Sequence, residues 1–245
     1  MDGSGRQGIE RLPDEDFHRV LCVVAHPDDV EYGTSAAVAE WTARGVEVAY
    51  LLLTSGEAGM QRPPAETGPL RAEEQRAACA AVGVERLQIL NHPDGVLVYS
   101  LDLRRDIARV IRQFRPDAVV TGSWEIEPGY GLNQADHRAA GLATLDAVRD
   151  ADNTWVFPDL AQTEGLAKWG TSWLLASGHS RPSHGVAVSQ ESVARAVASL
   201  QAHRAYLADL PDHPRPEEFI PAMLAEQGDA LGTRHGVLFR AWRLR

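Results

Sequence analysis

The chain has 245 residues, a formal net charge of −10, 44% hydrophobic and 24% charged residues. That length can bury a generous single α/β core, and the composition is that of a globular protein and excludes a fibrous or disordered chain. The acidic balance excludes a broad nucleic-acid face, which needs clustered Lys and Arg to meet phosphates.

Residues 1–16 carry Gly, Ser, Asp and Glu without periodicity and are expected to be a loose lead-in, with a single domain over 17–245. The stretch Met1–Phe17 has no apolar signal core and no segment approaches the ~18 apolar residues of a membrane span, so a cytoplasmic protein without a span is expected. Cys22 and Cys79 sit in apolar and helical patterns and read as small buried hydrophobes, which fits a reducing compartment.

Arg19–Ala25 is a continuous apolar run suited to a strand buried on both faces. Thr34–Arg44 has helical spacing and ends at Gly45, and Val46–Leu53 is a second strand. The pattern then predicts a helix over Arg71–Val82, a strand over Arg86–Leu90, a helix over Asp102–Phe114 and a strand over Asp117–Thr121. Asp136–Arg149 follows as a helix, Ser172–Ala176 and Gly185–Val188 as short strands, and Glu191–Ala208 as one long helix. Pro211–Pro216 is expected to separate a weakly strand-like tail, Gly236–Leu244, from the body. The alternation implies an α/β, Rossmann-like open, mostly parallel sheet with helices on both faces and a ligand site outside the carboxyl ends of its strands.

Ala25-His26-Pro27-Asp28-Asp29 falls at such a place, after the first strand. His26 and Asp29 are spaced so that in a turn their side chains converge, as two metal ligands must, and Asp28 points elsewhere. A catalytic zinc takes a third protein ligand, for which His137 after the fourth strand is the best candidate. The same Pro-Asp-Asp run also suits a plain helix N-terminus, so spacing alone leaves both readings open.

Two segments, Ala25-His26-Pro27-Asp28-Asp29-Val30-Glu31 and Asn133-Gln134-Ala135-Asp136-His137-Arg138-Ala139, resemble the paired signatures of the LmbE-like, or PIG-L, deacetylase family. Thr54-Ser55-Gly56-Glu57, Arg71 with Glu74, Pro93-Asp94-Gly95 and His184 are similar to weaker parts of its pattern, and the resemblance covers most of residues 20–208. It implies a three-layer α/β/α hydrolase that removes acetyl from an amino-sugar conjugate, with one Zn2+ held by His26, Asp29 and His137. In that reading Asp28 is the general base toward the attacking water, and Asp136 orients a ligand from behind or simply caps the following helix. Arg71, Asp94 and His184 are the implied substrate-binding residues; their bland alternatives are a solvated helix face, a turn acid and a structural hydrogen bond.

The zinc assignment rests on the resemblance, since two His and one carboxylate also suit ferrous iron. Partners implied are a small amino-sugar or glycoconjugate substrate, no nucleic acid, and a homo-oligomer left open. One departure stands out: the family's second signature begins with His, where this chain has Gln134. An amide N–H donates to an oxyanion but carries no charge, which leaves a working substitute, a different amide substrate or a weakly catalytic protein. His92 reads as a loop residue near the pocket, His179 and His203 as structural, and Trp124, Trp155, Trp169 and Trp173 as core in preference to the lining of a sugar or aglycone pocket.

Overall fold

The computed structural model describes residues 8–245. Its centre is the strand β2 (Arg19–Val24), flanked by β3 (Glu47–Leu52) on one side and β5 (Ala118–Gly122) on the other, all parallel. Val20, Cys22 and Val24 pack into one hydrophobic layer and Leu21 and Val23 into the other, because side chains alternate across a strand. This is why Val20–Val24 is apolar throughout, with Arg19 only part-buried at the strand's start.

Helices α1 (Ser35–Ala43) and α2 (Pro64–Val82) follow β2 and β3, and α3 (Leu101–Phe114) follows the edge strand β4 (Arg86–Ile89). Ser100 caps α3 by accepting the Leu103 N–H, and Gly83 ends α2 in the left-handed conformation that glycine adopts without Cβ strain. Beyond β5 come α4 (Ala135–Ala151), α5 (Pro158–Gln162), β6 (Trp173–Ser177) and β7 (His184–Ala187). Then follow α6 (Gln190–Gln201), α7 (Arg204–Ala208), α8 (Pro216–Leu231) and β8 (Gly236–Arg243). With β1 (Glu10–Arg11) the described residues form an eight-stranded sheet in the order β1-β7-β8-β6-β5-β2-β3-β4, antiparallel only at β8. The expected open, mostly parallel α/β sheet with helices around it is therefore present.

Several expectations are corrected. Of the lead-in expected over 1–16, residues 1–7 lie outside the described part, and the rest is tied down: Glu10–Arg11 pair with β7, and Leu12 is buried. Asp14 accepts the indole N–H of fully buried Trp41 at 2.6 Å and the guanidinium of Arg44 at 2.7 Å. Asp14→Ala strands that N–H and is expected to cost about 1–3 kcal/mol in urea unfolding; no loss would return this segment to a passive lead-in.

The helix expected over Glu191–Ala208 is two, because the carboxylate of Glu74 takes the Ala205 N–H at 2.5 Å and caps a new start at α7. The stretch Pro211–Pro216 leads into α8, whose Ile220 and Leu224 are buried in the core, so it joins the tail to the body. α2 begins at Pro64, earlier than expected, with Pro at its start and Glu66 in its first turn. Trp155 is 79% exposed, contrary to its assignment to the core. Among the described residues no helix is long and apolar enough to cross a membrane.

The site is positioned by topology. From β2 the chain moves through α1 to β3 on one side, whereas β5 lies on the other side of β2. The loops after β2 and β5 therefore part at a switch point and open a crevice between them. His26 to Asp29 lie in the first of those loops, Asn133 and Gln134 end the second, and Asp136 and His137 open α4.

Candidate metal centre

After Val24 the chain turns through Pro27–Thr34 before α1 begins. Asp28 has φ +83°, a left-handed conformation that costs a residue other than glycine about 1–3 kcal/mol. The surroundings impose it: the Asp28 N–H donates to Gln75 Oε1 at 3.0 Å, and the Asp28 carbonyl accepts from Glu31 at 2.9 Å and Tyr32 at 3.2 Å. The consequence is that neighbouring acids diverge. Asp29 turns back toward the His26 N–H, at 2.9 Å, while Asp28 meets Arg71 Nη2 at 3.0 Å.

His26, Asp29 and His137 converge, each offering a ligand atom within 4.8 Å of the others. Asp29 Oδ1 lies 3.0 Å from His137 Nε2, and Asp29 Oδ2 lies 3.6 Å from His26 Nδ1. The outer nitrogens are engaged elsewhere: His26 Nε2 faces Asp94 Oδ1 at 2.9 Å and Asp136 Oδ2 at 3.4 Å, and His137 Nδ1 faces Asn133 Oδ1 at 3.3 Å. Once the nitrogen facing Asp29 is deprotonated, each ring donates outward and offers a lone pair inward, the arrangement a divalent metal requires of imidazole. Two imidazoles and a carboxylate with an open side fit zinc by number and donor type.

Asp136 and Asp94 form a second candidate group with His26, but their oxygens are spent on the chain itself. Asp136 accepts the N–H groups of Gly95 at 2.7 Å and Leu97 at 3.1 Å, and Asp94 accepts that of Ala58 at 2.7 Å. They hold His26 from behind and fold the loop after β4 onto the site. Buried Asn133 likewise donates to the carbonyls of Ser123 at 2.7 Å and Glu125 at 2.9 Å, which aims its oxygen at His137 and the Tyr130 hydroxyl. Asn133→Ala removes that orientation and is expected to weaken zinc binding by about tenfold to a hundredfold, read by competition with a chromophoric chelator; unchanged affinity would deny Asn133 the role.

Electrostatics match a site built for a cation. Burial works against the His26 imidazolium, but Asp29, Asp136 and Asp94 overcome it and push its pKa up to about 12. Burial also opposes the His137 imidazolium, and Asp29 again raises it. Asp29 is driven up by burial and pulled further down by His137 and His26, so it stays below the ordinary carboxylate range. Both rings thus hold their protons more tightly than a free imidazole in the metal-free protein, and each must give up a proton where it becomes a ligand. Zinc binding at pH 7 is expected to release up to two protons, seen as a buffer-dependent calorimetric enthalpy, with affinity falling as pH falls. A buffer-independent enthalpy would contradict this.

Arg71 is expected to grip substrate, yet its side chain is 3% exposed and serves the loop. It donates to the carbonyls of Pro27 at 2.7 Å and Gly56 at 3.1 Å, and lies 4.2 Å from the centre of the Tyr206 ring. Gly56 is required there: at φ +65° a Cβ would stand 2.3 Å from Arg71 Nη1, which explains the glycine of Thr54-Ser55-Gly56-Glu57. Behind Asp28, buried Glu31 accepts from Gln75 at 3.2 Å and Ser199 at 3.1 Å, and lies 3.7 Å from buried His203. Burial pushes the Asp28 carboxyl up to about 6, with Arg71 holding it down against the repulsion of Asp29.

Other expected positions lie apart from this cluster. Gln134 is exposed at the start of α4 and makes no capping side-chain bond. His184 bonds Ser183 Oγ at 2.9 Å, packs on Trp173 and lies 3.9 Å from Glu10, so it does not join the site. His92 pairs with Asp106 at 3.2 Å and joins neither group.

A family model described as PIG-L, GlcNAc-PI de-N-acetylase, matches residues 21–148, which include every residue of the convergent set. The chain belongs to the PIG-L family. Among its PIG-L relatives is the diacetylchitobiose deacetylase of Thermococcus kodakarensis, 34% identical over 56% of this chain and 51% of that protein. Another is the 1D-myo-inositol 2-acetamido-2-deoxy-alpha-D-glucopyranoside deacetylase of Mycolicibacterium vanbaalenii, 30% identical over 79% of this chain and 82% of that one. The chain thus spans only about half the length of some of these relatives, the Thermococcus protein included. The solved N,N'-diacetylchitobiose deacetylase of Pyrococcus horikoshii superposes with a TM-score of 0.83 at 25% identity, covering 94% of this chain and 86% of that one.

In this PIG-L chain a cavity of about 610 Å³ opens beside the cluster, with Asp29 and His137 in its wall. It runs past Tyr130 and His179 toward Phe219 and Met223 on α8. His179, assigned a structural role by sequence, lines it; its Nδ1 lies 3.2 Å from Glu125, and burial lowers its pKa against that carboxylate's pull. Nothing in the sequence around Gly178-His179 signals this, because Glu125 and the cavity come from distant segments.

Proposed function

We propose that the protein is a zinc-dependent hydrolase of N-acetylated, or similarly N-acylated, amino-sugar conjugates. The observation that carries this reading is the divergence of Asp28 from Asp29: three convergent ligands beside a carboxylate held out of the set by its backbone and by Arg71. His26, Asp29 and His137 would hold zinc, which when bound polarises the amide carbonyl and makes a water more acidic.

Asp28 accepts the proton of the attacking water and passes it to the departing amine, and a carboxyl near 6 is ionised at neutral pH for that task. Arg71 positions Asp28. Asp136 and Asp94 position His26, and Asn133 positions His137. Gln134, exposed beside Asn133 at the start of α4, would have to turn inward to give a neutral amide N–H to the developing oxyanion, a weaker contribution than a charged imidazolium would make. The sugar is favoured over other amides because the deacetylases among the relatives act on N-acetylglucosaminyl and chitobiose compounds by name.

A panel tests the assignment: amine release from N-acetylglucosaminyl glycosides against N-acetyl amino acids of similar size. Preference for the sugars by at least tenfold is expected, and equal or reversed rates would replace this reading with a general amidase.

A further inference from the structure

We propose that the cavity beside the metal centre receives the acyl chain of the substrate, so that the preferred amide carries a chain longer than acetyl. This rests on the proposed N-acyl hydrolysis. An acetyl methyl fills about as much space as one water, ~30 Å³, whereas the cavity offers about 610 Å³. Its deep wall is apolar, with Cys22, Val24, Val120, Phe219, Met223 and Leu238.

Most of its polar tips are already engaged. Tyr32 pairs with His213 at 2.7 Å, Tyr130 donates to Asn133 at 3.1 Å, His179 pairs with Glu125 at 3.2 Å, and Gln227 accepts the Leu238 N–H at 2.8 Å. Thr121 Oγ1 is the buried lining atom left without a partner, and Glu226, the lining carboxylate outside the metal cluster, is exposed to solvent. A sugar placed there would bury several hydroxyls unpaired at about 1–3 kcal/mol each, whereas methylenes gain on entering.

Since Asp29 and His137 stand in the wall, a carbonyl brought to the metal centre has the cavity next to it, and the chain on that carbonyl is the group that enters. The sugar is then left toward solvent. Water adds to the carbonyl carbon, the C–N bond breaks, the nitrogen leaves as a protonated amine, and the products are a free amino sugar and an aliphatic carboxylate.

The experiment compares kcat/KM for N-acetyl-, N-butanoyl-, N-hexanoyl- and N-octanoylglucosamine by amine release from the zinc-loaded protein. Each buried methylene is worth about fourfold at most, and at least a tenfold rise from acetyl to hexanoyl is expected. Met223→Trp, which fills the cavity from α8, is expected to lower the hexanoyl-to-acetyl ratio about tenfold. N-acetyl turnover with a flat or falling chain-length profile overturns this inference while the hydrolase reading stands. A gain that follows the alkyl length of octyl N-acetylglucosaminide instead also overturns it.

If no N-acyl sugar is turned over, the hydrolase reading fails and calorimetric binding to the zinc-loaded protein decides the cavity. N-octanoylglucosamine binding at least tenfold tighter than N-acetylglucosamine supports the acyl site, and equal binding overturns it as well.

Discussion

His137→Ala is expected to abolish stoichiometric zinc and, with it, turnover. His137 is one of the three convergent donors, and its ring is aimed by Asn133 on one side and Asp29 on the other. Removing it leaves a carboxylate and one imidazole, and the affinity is expected to fall by more than the roughly hundredfold that loss of an outer partner costs. The wild-type protein at a hundredfold excess of zinc over Kd gains about 2.7 kcal/mol of stability by mass action, whereas the variant gains none. Metal content after dialysis and the Tm with and without zinc check both statements. Stoichiometric zinc in the folded variant would remove His137 from the ligand set.

Asp28→Asn is expected to keep its zinc and lose about a hundredfold to ten-thousandfold in kcat, the range a positioned base contributes. Asparagine accepts the left-handed backbone at this position as readily as aspartate, so the loop is expected to persist and KM to change little. The amide cannot take a proton. In the wild type the base form exists above the Asp28 pKa, so kcat/KM is expected to fall as pH drops through about 6 or somewhat below. A bound dication adds to the pull of Arg71, which sets the direction of that displacement. With zinc in enough excess to keep the site filled across the range, the acid limb is expected to vanish in the variant. Retention of both rate and limb would assign the base elsewhere.

The alternating sheet and helix units were legible because each central strand is buried on both faces and so must be continuously apolar, as residues 20–24 are. The convergence of His26, Asp29 and His137 was legible from spacing and resemblance, because segments leaving the carboxyl ends of neighbouring strands β2 and β5 are brought to one crevice. Side-chain orientation was not. Arg71 and Asp94 have the residue types of a substrate site, yet both turn inward to bind backbone groups from other loops.

The break between α6 and α7 depends on Glu74, which lies 131 positions from the N–H it caps, so no local pattern could show it. Strand β1 consists of Glu10 and Arg11, held by backbone pairing with β7, and their polar side chains disguise it. Helix α8 is a different case. Pro216 at its start, Glu217 and Glu218 in its first turn and Gly232 at its end are local signals, and the prolines before it drew attention from them.

The most direct test titrates zinc into the chelated wild-type protein while acetate release from an N-acetylglucosaminyl glycoside is followed. Release is expected to be absent without metal, to rise in proportion to zinc, and to level off at one zinc per chain. Acetate release that survives chelation, or none with one zinc tightly bound, would contradict zinc-dependent deacetylation at this site.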